Sequence, residues 1–297
     1  MESEDNKSMK PCIVWQTDFS LKWGAVASMR GVCKQVDPTL ECVDITHDIE
    51  PYNILAGSRE IAYVEPFWPK GTIFVSVVDP GVGTSRKACC AKLKDGNYII
   101  TPDNGSLTHL YYFVGIEAVR EIDETVNRYK GTEEVSVFHG RDLFAYTAAK
   151  LAAGIIDFEG VGPEYPVEDI IVYPKKLILA EISENDVKGI VSSASDHFGS
   201  IVFNILVSDF VKAGFAHGDL VHVLLTHGGK TVFDQEVLYH KSFGFVPEGE
   251  PILFNSSSTY VSLGLNMASF RDKYGCAAGE DWEITLTKTG KRLEVNA

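Results

Sequence analysis

The segment from Val77 to Arg86 places a carboxylate and a guanidinium seven residues apart on a turn that contains two glycines. The preceding run, Ile73 to Val78, is largely apolar and rich in β-branched residues, which predicts a buried strand of a parallel sheet. Pro80 cannot extend a strand ladder, and the glycines at 81 and 83 permit a tight turn. Asp79 is therefore predicted at the carboxyl end of a strand, where open α/β sheets bind their ligands.

Four other apolar runs end on polar residues in the same way. The runs are Cys12 to Gln16 before Asp18, Glu41 to Ile45 before His47 and Asp48, Tyr98 to Thr101 before Asp103 and Asn104, and Val135 to Phe138 before His139 and Asp142. If these runs are parallel strands, all five polar endings project from one edge of a single sheet. The sequence therefore predicts a polar rim built from residues that are far apart along the chain.

A helix is predicted directly after His139. Leu143, Phe144, Thr147, Ala148 and Leu151 repeat with helical spacing. Gly154 predicts the C-terminal end of this helix. His139 then precedes a helix N-terminus, where the partial positive charge favours a neutral imidazole or a bound anion.

The pattern of elements predicts two domains in this chain of 297 residues. Residues 12–175 alternate strands with helices, which indicates an α/β domain with a mostly parallel sheet flanked by helices. A linker is placed near residues 174–186. Residues 187–297 show short alternating strands and turn signals, which indicates an all-β, barrel-like C-terminal domain. Residues 1–11 are interpreted as a flexible leader.

Composition excludes several classes of function. The formal charge of −14 offers no clustered Lys and Arg for nucleic acid, and no stretch approaches the roughly 20 apolar residues of a membrane helix. The leader is acidic and polar, unlike a signal peptide, so we expect a cytoplasmic protein. Six cysteines without a CxxC pair are expected to be reduced, mostly buried thiols.

Other kinds of site are possible at the predicted rim. The stretch from Gly81 to Arg86 is similar to a phosphate loop, but arginine replaces the third glycine of GxGxxG and no GK[ST] follows. A metal site could use Asp18, Asp79, Asp103, His139 and Asp142, although Arg86 would repel the cation. A nucleophilic serine or cysteine has little support, since the chain has no GxSxG elbow.

Several motifs occur together in one order along the chain. They are Thr17-Asp18-Phe19, Asp44-Ile45-Thr46-His47, the Val78 to Arg86 segment, Pro102-Asp103-Asn104-Gly105, Phe138-His139-Gly140-Arg141-Asp142, Asp196-His197-Phe198-Gly199 and Asn204-Ile205. In these motifs the chain resembles the S-adenosyl-L-methionine (SAM) hydroxide adenosyltransferases, or SAM hydrolases, which are related to the bacterial fluorinase and chlorinase. The resemblance extends from about residue 12 to the C-terminus.

The resemblance implies a fold, an assembly and a reaction. The fold is an N-terminal α/β domain with a C-terminal β-barrel-like domain, and the assembly is a homotrimer with active sites between neighbouring subunits. The reaction is attack of water or hydroxide on ribose C5′ of SAM, which yields adenosine and L-methionine without a metal or other cofactor. The family's catalytic trio falls on Asp79, Arg86 and His139, a trio that the halogenases do not keep.

The resemblance also implies contacts to the substrate. Asp18 would bind the ribose hydroxyls, and Tyr52 would lie near the ligand. The remaining contacts would come from the C-terminal domain: Asp196 to the methionine ammonium, Phe243 stacked on adenine, Ser257 to the methionine carboxylate, and backbone from Leu265 to Met267 to the adenine edge.

The chain departs from the family pattern at some of these positions. Ser20 and Lys22-Trp23 replace a usual glycine and acid, Ser200 replaces an amide, and Phe203 stands where threonine is common. Because serine cannot span the distance of an amide, recognition of adenine or methionine at Ser200 would differ. Two other interpretations remain: an adenosine- or SAM-binding protein without turnover, and a metal-dependent hydrolase that uses the same rim acids.

Overall fold

The computed structural model describes residues 10–294, so most of the predicted leader, residues 1–9, lies outside the described residues. Contacts divide the chain into two compact units, with the boundary between Tyr173 and Pro174. Within residues 10–294, no helix is both long enough and apolar enough to cross a bilayer. All six cysteines are free thiols.

The N-terminal unit contains one seven-stranded sheet with the order β2-β1-β3-β5-β4-β6-β7. The strands are β1 (Ile13–Thr17), β2 (Cys42–Thr46), β3 (Ile73–Val77), β4 (Ala88–Leu93), β5 (Tyr98–Pro102), β6 (Ile116–Glu121) and β7 (Glu164–Tyr165). The pairs β1–β2, β1–β3 and β3–β5 are parallel. The pairs β4–β5, β4–β6 and β6–β7 are antiparallel. The sheet is therefore parallel in the half that carries Asp18 and Asp79.

Helices cover both faces of this sheet. They are α1 (Ala25–Val36), α2 (Ile54–Val64), α3 (Thr108–Phe113), α4 (Glu124–Asn127) and α5 (Tyr146–Ala152), and a π-helical segment, Gly140–Ala145, leads directly into α5. On one face, Trp15 and Val75 pack with Met29 of α1 and Ala148 of α5. On the other face, Phe74 packs with Ile61 of α2 and Leu110 of α3. Burial on both faces explains why β1 is apolar at its first three positions and β3 at four of its five.

The C-terminal unit is a closed β-barrel. Its strands are β8 (Glu181–Ile182), β9 (Asp186–Ala194), β10 (Ile201–Leu206), β11 (Asp219–His227), β12 (Lys230–Tyr239), β13 (Pro251–Asn255), β14 (Tyr260–Leu265) and β15 (Gly279–Arg292). Seven strands follow the order β10-β14-β13-β12-β11-β15-β9, and pairing of β9 with β10 closes the ring. Two short helices, α6 (Val207–Lys212) and α7 (Phe270–Tyr274), accompany the barrel. Its interior is filled by apolar side chains such as Phe203, Leu225 and Leu263.

This architecture confirms the predicted fold class, an α/β domain with a mostly parallel beginning followed by a barrel. The helix predicted after His139 is also confirmed, and Gly154 ends it with a φ of +68°. The sequence-based domain boundaries stay predictions; the segment proposed as a linker contains a turn of 3₁₀ helix at Lys175–Leu177 and the strand β8.

The prediction of a strand from Val135 to Phe138 is wrong. This segment has no regular secondary structure, with a bend at Val137, whose side chain is exposed. Its backbone bonds are local or go to a side chain: Val135 N–H donates to Thr132 O, and Val135 O accepts from Arg128. A mainly apolar run of four residues is too short to distinguish a strand from an irregular segment.

Candidate active site

A tight loop after β3 brings Arg86 back to Asp79. The loop is closed by Val82 N–H donating to Asp79 O at 3.2 Å and by the Thr84 hydroxyl donating to Gly81 O at 2.7 Å. Gly83 has a φ of +76°, and a Cβ at this position would lie 2.9 Å from the carbonyl oxygen of Ser136. Both the turn and the close approach of the neighbouring segment therefore require glycine at position 83.

Arg86 and Asp79 form a two-point ion pair. Arg86 Nε lies 2.9 Å from Asp79 Oδ1, and Nη2 lies 2.5 Å from Oδ2. Their side chains are only 9% and 4% exposed, respectively. Because each carboxylate oxygen has two lone-pair sites and Arg86 occupies one of each, Asp79 can still accept a hydrogen bond from a small donor such as water.

His139 joins this pair through Arg86. Its Nδ1 lies 2.9 Å from Arg86 Nη2, and its ring is buried. Burial, followed by the positive charge of Arg86, lowers the pKa of His139 below its ordinary value. Gly140 allows this position, because a Cβ there would lie 2.9 Å from the ring of Phe19. The structure thus brings together all three side chains of the predicted trio.

An aromatic ring and a second arginine complete the surroundings of His139. The guanidinium of Arg86 lies 5.5 Å from the ring centre of Phe144, which is fully buried. Arg128 Nη2 lies 3.2 Å from His139 Nε2, on the opposite side of the imidazole from Arg86. Sequence analysis did not single out Arg128, and its only signal is the spacing of Glu124 and Arg128 at i and i+4.

Asp18 lies at the end of β1, next to the end of β3. The parallel register pairs Thr17 with Val77, so Asp18 and Asp79 follow neighbouring strands. Asp18 Oδ2 accepts a hydrogen bond of 3.0 Å from the backbone N–H of Tyr52. Tyr52 has a φ of +68°, and the residue is 73% exposed. A left-handed backbone conformation is strained for a residue other than glycine, and such strain is concentrated at functional sites.

Of the residues that depart from the family pattern near Asp18, Lys22 and Trp23 are exposed and Ser20 is half-buried. Ser20 has a φ of +59°, and Trp23 is 72% exposed with the ammonium of Lys22 5.7 Å from its ring centre. Phe203 lies in the core of the barrel. The replacement at position 203 therefore affects packing of the barrel rather than a binding surface.

Two other rim acids have structural partners instead of joining the trio. Asp103 accepts hydrogen bonds from the Tyr165 hydroxyl and the Ile171 N–H, both at 2.9 Å, and its burial raises its pKa. Asp142 is buried and paired with Arg141. Across residues 10–294, no three His, Cys, Asp or Glu side chains are arranged to hold a metal ion.

The C-terminal unit contains a cavity of about 750 Å³ beside the barrel. All six ligand contacts predicted in this domain line the cavity: Asp196, Ser200, Phe243, Ser257, Leu265 and Met267. The cavity is open, and Met267 is 83% exposed with a φ of +55°. The structure therefore brings these six residues together on one surface, although they span more than 70 positions of sequence.

The outer face of β14 forms part of the cavity wall. Val261, Leu263 and Leu265 face the barrel core, so Ser262 and Gly264 face outward. A Cβ at Gly264 would lie 2.7 Å from Ser200 Oγ and 3.0 Å from the ring of Phe243. The absence of a side chain at position 264 thus allows Phe243 and Ser200 to pack against the strand.

Among the cavity residues that sequence analysis did not assign to the ligand are Phe198 and Ser262. Phe198 lines the cavity and is 78% exposed. Ser262 also lines it, and its buried Oγ has no hydrogen-bond partner among the described residues. Phe198 was present in a quoted motif, whereas the position of Ser262 on the outer face becomes visible only from the pairing of β14.

Comparison with known proteins identifies both units. The family model for the SAM hydroxide adenosyltransferase N-terminal domain matches residues 13–162, and the model for the C-terminal domain matches residues 193–283. A crystal structure of an uncharacterised conserved protein from Thermotoga maritima has a TM-score of 0.84 and 32% identity, covering 93% of this chain and all of that one.

Curated relatives carry two different names. Proteins named (R)-S-adenosyl-L-methionine hydrolase from Salinispora tropica and Thermus thermophilus are each 30% identical to this chain. These alignments cover 93% and 91% of the chain, respectively, and 98% of each relative. A fluorinase from Actinopolyspora mzabensis is 26% identical over 93% of the chain and 97% of its own length. On the match of both domain models, this chain belongs to the SAM hydroxide adenosyltransferase family.

Proposed function

We propose that this protein hydrolyses SAM to adenosine and L-methionine. The observation that carries the proposal is the buried arrangement of Asp79, Arg86 and His139, in which one guanidinium binds both the carboxylate and the imidazole. The names of the SAM hydrolases that are similar over more than nine-tenths of this chain support the same reaction.

The reaction needs no general acid for its leaving group. Methionine leaves a sulfonium as a neutral thioether, so no group has to protonate it. The new bond joins the water oxygen to ribose C5′, while the C5′–S bond breaks and its electron pair stays on sulfur. One water proton goes to Asp79, and the other remains on the 5′-hydroxyl of adenosine.

Arg86 and Asp79 divide the work on the nucleophile. Three of the five Arg86 N–H groups are used on Asp79 and His139, which leaves the two on Nη1 available to an oxygen nucleophile. The permanent positive charge favours hydroxide over water. His139 accepts a hydrogen bond from Arg86 and so orients it. Since hydroxide and sulfonium neutralise each other on approach, a water-poor site assists the attack.

Substrate recognition is proposed on two surfaces. Asp18, with Tyr52 beside it, binds the ribose hydroxyls through its carboxylate oxygens. The cavity of the C-terminal unit binds adenine and the methionine moiety through Asp196, Phe243, Ser257, Ser200 and the backbone from Leu265 to Met267. Its volume of about 750 Å³ lies within the range of small-molecule sites, roughly 300 to 1,000 Å³.

The proposal includes a homotrimer in which each active site combines the N-terminal unit of one copy with the C-terminal unit of another. Light scattering on the purified protein measures the assembly. A complementation experiment tests the shared site: Asp79→Asn and Asp196→Asn proteins, each inactive alone, are unfolded and refolded together. Activity in the mixture supports shared sites, whereas an inactive mixture of correctly assembled trimers contradicts them.

The decisive experiment on the reaction is incubation with SAM in heavy-oxygen water, followed by chromatography and mass spectrometry. Adenosine that carries the label on its 5′ oxygen supports hydrolysis. Intact SAM with measurable binding would identify a binding protein instead, and a 5′-halogenated product formed with added halide would identify a halogenase. The proposed reaction uses no metal or organic cofactor, so turnover that disappears with a chelator and returns with a divalent ion contradicts this part. A cytoplasmic location remains a prediction for cell fractionation.

A further inference from the structure

His139 lies between two guanidinium groups, one on each ring nitrogen. Arg86 Nη2 is 2.9 Å from Nδ1, and Arg128 Nη2 is 3.2 Å from Nε2. An arginine side chain only donates hydrogen bonds. A neutral imidazole has one accepting nitrogen, whereas an imidazolium has none. Protonation of His139 would therefore place an N–H against a guanidinium at both nitrogens.

Each of the two arginines is itself fixed by a carboxylate. Arg86 binds Asp79 through Nε and Nη2, and Arg128 binds Glu124 Oε2 through Nε at 3.1 Å and Nη2 at 2.5 Å. In both arginines the same Nη2 contacts the carboxylate and the imidazole. The five side chains thus form a row, with His139 at the centre, a guanidinium on each side and a carboxylate at each end.

Arg128 has further contacts that hold it in place. Its Nη1 donates to the carbonyl oxygens of Val135, at 3.2 Å, and Thr132, at 3.5 Å, and the side chain is only 13% exposed. These bonds belong to the segment that leads into His139. Arg128 therefore cannot swing away from the imidazole without breaking several charge-assisted hydrogen bonds.

We propose that Arg128 is a positioning residue, which together with Arg86 keeps His139 a neutral imidazole during the reaction. This inference rests on the proposed function and goes beyond the trio. It assigns His139 the role of a neutral acceptor that orients Arg86, and it excludes His139 as an acid or as a carrier of the water proton. The proton of the attacking water then goes to Asp79.

The charges around His139 act in both directions. Burial of the ring disfavours the imidazolium most, Arg86 and Arg128 disfavour it further, and Glu124 and Asp79 favour it. Since each carboxylate is already bound to an arginine, its attraction for a proton on the imidazole is partly cancelled. Removal of the Arg128 charge alone would leave Glu124 and Asp79 facing a single guanidinium, which shifts the balance towards protonation.

The test is an NMR titration of protein labelled with ¹⁵N-histidine, with the His139 signals assigned from a His139→Gln variant. In the unmodified protein we expect the pKa of His139 to lie below 6.5, the ordinary histidine value. In Arg128→Gln the pKa of His139 should rise above that of the unmodified protein, because one of the two positive charges beside the ring is lost. Arg128→Lys keeps the positive charge and should keep the pKa low, and Lys130→Gln removes an exposed charge nearby and serves as the matched control.

The same variants give a kinetic readout. For Arg128→Gln we expect kcat to fall as the pH is lowered from 7.5 to 5.5 and His139 takes up a proton, by about tenfold for each pH unit below the raised pKa of His139, with KM nearly unchanged. Arg128→Lys should show no such decline.

Three results would overturn the inference. The first is a His139 that titrates near pH 6.5 in the unmodified protein, a measurement that does not depend on the folding of any variant. The second is an unchanged pKa in Arg128→Gln. The third is an equal rise in Arg128→Gln and Arg128→Lys, which would trace the effect to a loosened segment. Because the titration needs no turnover, failure of SAM hydrolysis and failure of this inference are separate outcomes.

Discussion

Arg86 and Asp79 meet in a fork, with Nε 2.9 Å from Oδ1 and Nη2 2.5 Å from Oδ2. Two parallel bonds fix the plane of the carboxylate relative to the guanidinium, which a single bond would not do. Both groups are nearly excluded from solvent. The pair therefore provides an oriented anion and a permanent cation at one place, a combination suited to holding a polar nucleophile.

Arg86→Lys should lower kcat for SAM hydrolysis by roughly 10²- to 10³-fold, comparable to the loss of one preorganised donor. Lysine keeps the charge but cannot form the fork or bind His139 at the same time. The affinity for SAM, measured by calorimetry, should change little. Arg292→Lys is the matched control, since Arg292 pairs with Asp219 on the barrel surface. A fully active Arg86→Lys protein would show that the trio is misassigned.

Gly264→Ala should weaken SAM binding by about tenfold or more. The added methyl group would lie 2.7 Å from Ser200 Oγ and 3.0 Å from the ring of Phe243, so the ring must move into the cavity. Overpacking of this kind costs about 1 to 3 kcal/mol. Isothermal calorimetry with SAM or adenosine measures the effect.

Gly244→Ala is the control for this substitution, because a Cβ at Gly244 meets no atom within 4 Å. Gly244 lies next to Phe243, and its replacement by alanine changes the backbone entropy in the same way as Gly264→Ala does. Equal affinities of the two variants would mean that the position of Phe243 against β14 does not matter for binding.

Asp18→Asn should raise KM for SAM by roughly 10- to 100-fold, since a hydrogen bond to a charged group contributes about 1.5 to 3 kcal/mol. The amide still offers an oxygen to the Tyr52 N–H but loses the second acceptor. A SAM analogue without the ribose 2′-hydroxyl should lose less affinity in the variant than SAM does. The same loss for both ligands would place Asp18 away from the 2′-hydroxyl.

His109 should make the protein less stable at acidic pH. It is buried, its Nδ1 lies 3.0 Å from Ser58 Oγ, and burial lowers its pKa to about 3. Between about pH 6.5 and pH 3 the unfolded chain binds a proton that the folded protein does not. The free energy of unfolding therefore decreases as the pH is lowered, by up to about 1.4 kcal/mol per pH unit. Urea unfolding at pH 5 and pH 7.5 measures this slope. His109→Asn should flatten it, and an unchanged slope would assign acid sensitivity to other groups.

Patterns within a short run predicted the strands whose own residues record their burial. The runs ending at Asp18 and Asp79 are strands, because their largely apolar character reflects burial on both faces. The run before His139 has the same composition, but it crosses the loop at Gly83 and pairs with no strand. Its conformation depends on a contact about 50 positions away in sequence, which no pattern within the run contains.

The partners of the trio were harder to predict than the trio itself. In our proposal Arg128 acts on His139 through the contact between Nη2 and Nε2, which are 3.2 Å apart. The position of Arg128 depends on the segment between the two residues. Similarly, Ser262 reads as an ordinary strand residue until the barrel register shows that it faces the cavity. Charged and polar side chains of this kind have no periodicity of their own, so only the tertiary structure identifies their neighbours.

The π-helical segment Gly140–Ala145 determines the angular phase between His139 and α5. A π turn contains more residues than an α turn, so it resets the rotation of everything that precedes it relative to the helix that follows. Thr147 and Ala148 keep their places in the core, while His139 faces Arg86. Deletion of one residue from this segment would rotate His139 by roughly 100° about the helix axis, the angle of one α-helical residue. The imidazole would then point away from Arg86 while α5 stayed packed. The extra residue of the π turn therefore lets His139 face Arg86 while Thr147 and Ala148 face the core.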